Sequence, residues 1–218
     1  MSPPVAFGYK MSWLAVRSAE PGQVLTALGI EGAKPSSWQE GIDAVYASGS
    51  SLGHPVFVTP TLDGWVLVVS PGFFEEASDA DPERLGRFVT DVARRLGTDV
   101  QFFATHRVVE GHAWAWADEG GLKRAFYYMG EVDECLVDIG AKTPHEETLG
   151  CVPPVGEAVP DEATVMSVAG SWSLDPTELE RRFPGVDAGR LGQIAAAWPE
   201  GGGTSEAGET KRPWWRFW

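Results

Sequence analysis

Large and small side chains alternate strictly in the middle of the chain. Across "HAWAWAD", His112, Trp114, Trp116 and Asp118 fall on one face of an extended strand, and Ala113, Ala115 and Ala117 on the other. A bare alanine face invites a helix to pack closely against it. Just upstream, "VQFFAT" reads as a strand over 100–105, and the chain turns back at 118–121. "HPVFVTPTLDGWVLVVSP" carries two β-branched and aromatic runs around Leu62, Asp63 and Gly64, which is hairpin patterning. "MSWLAVR" predicts a further strand. This alternation puts Phe57, Val66, Val68, Phe102, Trp114 and Phe126 in the core.

Helical spacing takes over elsewhere. In "DADPERLGRFVTDVARRLG", Leu85, Phe88, Val89, Val92 and Leu96 form one apolar stripe, with Asp81 as cap, Pro82 in the first turn and Gly97 at the stop. "EPGQVLTALG" repeats the pattern of proline first and glycine last. "KTPHEETLG" predicts a single turn closed by a capping box of Thr143 and Glu146. "PDEATVMSVAGSW", "DPTELERRF" and "DAGRLGQIAAAW" read as three short helices, the second opening on a capping box of Asp175 and Glu178. "WQEGIDAVYA" reads as a strand or an irregular crossing.

Hairpins without βαβ alternation predict the α+β class: a largely antiparallel sheet, one long packing helix and a small helical C-terminal lobe over 160–199. The chain divides into a loose N-terminus over 1–10, one domain over 11–199, a glycine-rich linker over 200–210 and an aromatic tail, "KRPWWRFW", over 211–218.

Charge narrows the partners. The 218 residues carry a net charge of -14. Between Ser18 and Glu83 the only lysine or arginine is Lys34, and between Glu131 and Glu180 it is Lys142. Such a field repels nucleic acid and anionic membrane and attracts basic proteins. No segment has the length and apolarity to span a bilayer, and "MSPPVAFGYKMSWLAV" lacks the features of a secretory leader. A cytoplasmic location with Cys135 and Cys151 reduced is therefore expected.

Candidate chemistry is sparse. "GSSLG" spells a nucleophile elbow around Ser51, but a strand follows it where that turn needs a helix. His106, Glu110 and His112 outline an acid–base pair or a two-histidine metal site, yet a third ligand has no source, and histidines bonded at a sheet rim explain them more simply. With no phosphate loop, dinucleotide fingerprint or HExxH, neither cofactor nor metal is expected. The carboxylates Asp118, Glu119, Glu131, Asp133 and Glu134 surround the hairpin and, with Trp114 and Trp116, make up the candidate binding surface. Trp214, Trp215 and Trp218 in the tail add a tethered docking peptide that engages its own domain or another protein.

"MSWLAVR", "PVFVTPTLDGWVLVV" and "THRVVEGHAWAWA" together resemble bacterial single-domain proteins from GC-rich genomes. A small, acidic, motif-poor chain of this kind is similar to the immunity proteins of polymorphic toxin systems. The resemblance implies a cytoplasmic inhibitor that binds the active-site region of a cognate toxin domain and has no catalytic residues of its own. A small enzyme using His106, Glu110 and His112, and a housekeeping interaction module, are the alternatives.

Overall fold

The computed structural model describes residues 3–17, 20–47, 54–76, 81, 83–150, 159–186 and 188–194. In chain order the elements are β1 (Ser12–Arg17), α1 (Pro21–Ala27), β2 (Glu31–Ser37), α2 (Trp38–Ala47), β3 (His54–Val58), β4 (Trp65–Val69), a 3-10 turn (Pro71–Glu76), α3 (Arg84–Leu96), β5 (Val100–His106), β6 (Gly111–Asp118), β7 (Gly121–Met129), β8 (Glu134–Ile139), α4 (Pro144–Leu149), α5 (Glu162–Trp172), α6 (Leu179–Arg182) and β9 (Ala188–Ile194). All nine strands join one sheet in the order β2-β9-β3-β4-β1-β5-β6-β7-β8, and every pairing is antiparallel. The class is α+β, as the hairpins predict.

The two-residue period sorts the strands' side chains onto two covered faces. Leu14, Val16, Val66, Val68, Phe102 and the alanines of β6 meet α1 and α3 on one face. Trp13, Ala15, Phe57, Leu67, Phe103, Trp114 and Phe126 meet α2 and α5 on the other. All six residues expected in the core have no exposed surface. The alanine face of β6 does receive a helix: α3 lies across β5, β6 and β7. It comes so close that a Cβ on Gly86 would stand 2.7 Å from the Leu122 side chain. Left-handed Gly97 (φ 62°) ends α3 as read. The helix itself starts later than expected, with Asp81 accepting from the Glu83 amide in the turn before it.

Two expectations are overturned. "WQEGIDAVYA" is α2, whose Trp38, Ile42 and Val45 bury at helical spacing. "DAGRLGQI" is not a helix but contains β9, the strand next to the sheet edge, between β2 and β3. Two glycines in four residues weaken a helix, each by about 1 kcal/mol. They also let the backbone approach its neighbour: a Cβ on Gly189 would lie 2.5 Å from both the Phe57 ring and the Val58 carbonyl oxygen. Within the C-terminal region expected to be helical, α5 and α6 are helices and α5 packs on β5 and β6, while the last described segment is β9. The described part of the N-terminus is anchored, with Phe7 buried edge-on against Trp13 at 5.8 Å. The linker and tail over 200–218 lie outside the described residues, as does Ser51.

Candidate functional site

Antiparallel pairing gathers distant residues at one end of the sheet, on the α5 face. Arg17 ends β1 opposite Trp65, which opens β4. Asp99 precedes β5 and Gln101 is its second residue, flanked by Ala15 and Trp116. Thr143, Pro144, His145 and Thr148 from the α4 region and Ser171 and Trp172 from the end of α5 rise beside them. Together they line an open cleft of about 670 Å³.

The walls of this cleft are fixed by buried polar contacts. Glu146, fully buried in α4, accepts from the Trp114 indole and from Arg124, each at 2.8 Å. Its other oxygen accepts from the Thr143 amide (2.8 Å) and hydroxyl (2.9 Å), completing the predicted capping box. Thr143 Oγ1 also accepts from the Trp172 indole at 3.4 Å. His145 Nε2 meets Ser167 Oγ at 2.8 Å, joining α4 to α5. Ser167 sits within a regular helix, and no carboxylate is seen bonded to His145 among the described residues, so this pair lacks the third member of a nucleophilic triad.

Inside the cleft the Trp116 and Trp172 rings stand 5.7 Å apart at 48°. The Trp116 indole donates to Asp99 Oδ1 at 3.2 Å, and the Arg17 guanidinium lies 5.5 Å from the Trp65 ring. Gln101 is only 2% exposed. Its Nε2 donates to the Trp172 carbonyl at 3.1 Å, while its Oε1 is buried with no partner.

The residues singled out from the sequence scatter. Trp116 lines the cleft, but Trp114 is wholly buried, stacked on Phe126 at 4.3 Å, and serves the Glu146 network instead of a contact surface. Asp118 and Glu119 lie at the cleft's end of the sheet. The hydrogen bond from Lys123, 2.9 Å away, holds the Asp118 carboxyl below the usual range. Glu131 and Asp133 in the β7–β8 turn, and Glu134 at the start of β8, lie at the opposite end, so the five carboxylates do not converge. There partial burial, together with the hydrogen bond to Asp133 (2.7 Å), pushes the Tyr128 phenol up to about 12. Trp214, Trp215 and Trp218 lie outside the described residues.

His106 and His112 point to opposite faces of the sheet. His106 packs on Phe74 at 5.0 Å on the α3 side, whereas His112 lies opposite Thr105 on the α5 side, near Glu162, Asp161 and Glu110. Burial lowers the pKa of each. The two rings therefore share no site. Among the described residues no group of three or more histidine, cysteine or acidic side chains is arranged to hold a metal, and no helix is long and apolar enough to cross a membrane.

Sequence reading missed Trp65, Asp99, Gln101 and Trp172 because they come from separate segments. One signal was present: Gln101 is a lone amide in the otherwise apolar run "VQFFA". Comparison of the chain with protein-family models, curated proteins and solved structures finds no match to any of them.

Proposed function

We propose that the chain is an acidic binding protein, and specifically a bacterial cytoplasmic immunity protein that neutralises a toxin by occupying its active-site region. One observation supports this reading: the cleft gathers the side chains of Trp65, Trp116 and Trp172 at one end of the sheet. Binding hot spots are enriched in tryptophan, tyrosine and arginine. The net charge of -14 supplies long-range attraction for a basic partner. His106 and His112 lie on opposite faces of the sheet and so do not form one two-histidine site.

The direct test pairs the full chain with the toxic domain encoded beside its gene. Stoichiometric inhibition is expected, with an association rate that falls steeply as salt shortens the Debye length from about 30 Å to about 8 Å. A neighbour that is not inhibited, or association indifferent to salt, would overturn the proposal.

A further inference from the structure

At the end of the sheet away from the cleft, large apolar side chains gather on the surface. Tyr9, Tyr46, Val108, Val132 and Val159 are exposed there, and among the described residues only Ile139 is exposed elsewhere. Contacts tie the group together. The Tyr46 hydroxyl donates to the Tyr9 carbonyl at 2.9 Å, and the Arg107 guanidinium lies 5.4 Å from the Tyr9 ring. Val108 follows Arg107 in the β5–β6 turn. The β7–β8 turn, which carries Val132, is bonded to it by Gly130 N–H to the Glu110 carbonyl (3.0 Å) and Glu131 N–H to the Val109 carbonyl (3.2 Å). Val159 lies just before α5, whose Glu162 accepts from Arg107 at 2.8 Å. Exposed apolar residues scattered singly need no explanation, but gathered at one end they mark an interaction surface.

Charge and chain geometry select what covers it. Glu110, Glu131 and Glu134 rim the patch, exposed and without an ion pair among the described residues. An occupant must therefore bring cations as well as apolar surface. Residues 211–218, "KRPWWRFW", hold three cations, four aromatics and no acid. The described chain also leaves the sheet at this end: Ile194 pairs with His54, on the side where β1 begins and β5 ends. Sixteen residues separate Ile194 from Lys211, and they extend to at most about 53–58 Å. From β9 to β5 is four strand spacings and to β8 seven, roughly 19 Å and 34 Å. The whole patch is within reach, and a tether of this kind supplies an effective concentration of about millimolar. The cleft is the poorer seat, because it lies at the other end of the strands and its lining balances Arg17 against Asp99. We propose that residues 211–218 dock in cis on this end of their own chain, with the aromatics on Tyr9, Val108 and Val132 and the cations beside Glu110, Glu131 and Glu134.

The test compares the full chain with a Trp214→Ala, Trp215→Ala, Trp218→Ala variant by NMR, using the synthetic octapeptide KRPWWRFW as probe. The two chains should differ at the amides of Val108, Glu110 and Val132 and not at the Trp116 and Trp172 indoles. Added to the variant, the peptide should bind saturably and move those amides back toward their parent positions. It should bind the parent chain, whose seat is filled, at least about tenfold more weakly. Replacing Glu110, Glu131 and Glu134 together by Gln in the variant should weaken the peptide by about three- to tenfold at low salt, and by less as added salt screens the charges. Equal peptide binding by parent and variant, no shift at the patch, or shifts at the cleft indoles instead would overturn the proposal. So would a difference between the two chains that disappears on dilution, which would place the octapeptide segment on a second copy. None of these readouts uses a toxin, so their failure leaves the immunity reading standing, and a failure of toxin inhibition leaves this docking standing.

Discussion

Glu146 and Arg124 form the most heavily bonded charged pair in the described chain, and both are essentially buried. Arg124 also reaches Asp138 at 2.5 Å and the Ile139 carbonyl at 3.0 Å, and its guanidinium lies 5.7 Å from the Phe126 ring. Removing one partner of such a pair strands the other charge. Glu146→Ala is expected to cost about 3–5 kcal/mol in denaturant unfolding, beyond what a lost cap alone explains. A cost under about 1 kcal/mol would mean that Asp138 satisfies Arg124 unaided. His112 sets a different dependence. It is 4% exposed, and its Nδ1 has no partner. Burial depresses its folded pKa, so between that value and the unfolded value the unfolded chain binds more protons. Stability is therefore full above about pH 6.5 and declines as pH falls below it. His106, also depressed by burial, acts in the same direction. A His106→Gln, His112→Gln variant should flatten the slope of unfolding free energy between about pH 6.5 and 5. An unchanged slope would assign that decline to other groups.

At the level of elements, the sequence was most readable where one periodicity and clear end signals coincide. The β3–β4 hairpin, α3 and the β6 strand all meet that condition, as does the Thr143 capping box. β9 fails it, because a strand stabilised by close backbone approach shows glycines where a reader looks for β-branched residues. α2 carries its apolar residues at helical spacing, but Gly41 interrupts them. That glycine is needed because a Cβ there would lie 2.1 Å from the Phe57 ring. Little of the candidate site was legible: Trp116 was found by alternation, and Trp114, its neighbour on the same face, was misassigned because alternation gives the face and not the depth. Gly189→Ala tests the account of β9. Its methyl would press on the Val58 carbonyl, which cannot rotate away as a side chain can. A loss of about 1–3 kcal/mol is expected by thermal unfolding, against near-neutrality for Gly22→Ala, where a Cβ meets nothing. Tolerance at both positions would refute the close-approach explanation.

Across the whole molecule, the free edges of the sheet are guarded. β2 presents Lys34 and Pro35, and β8 presents Glu134 and Asp138, a charge and proline pattern that discourages strand addition by another chain. The place of β9 has another consequence, in the timing of folding during synthesis. β2 is among the first strands made, yet its neighbour in the sheet is β9, the last described strand. At about 5–20 residues per second, β2 waits on the order of ten seconds for its partner, and the edge of β3 stays open for the same interval. The seven strands from β3 to β8, with β1 among them, can pair before then. Hydrogen exchange should accordingly find two cooperative units: β2 and β9 opening together at lower free energy, and β1, β4 and β5 protected up to global unfolding. If the amides of β2 and β9 exchange only with those of β1, the sheet closes as one unit, and the late strand is a latch on the whole fold.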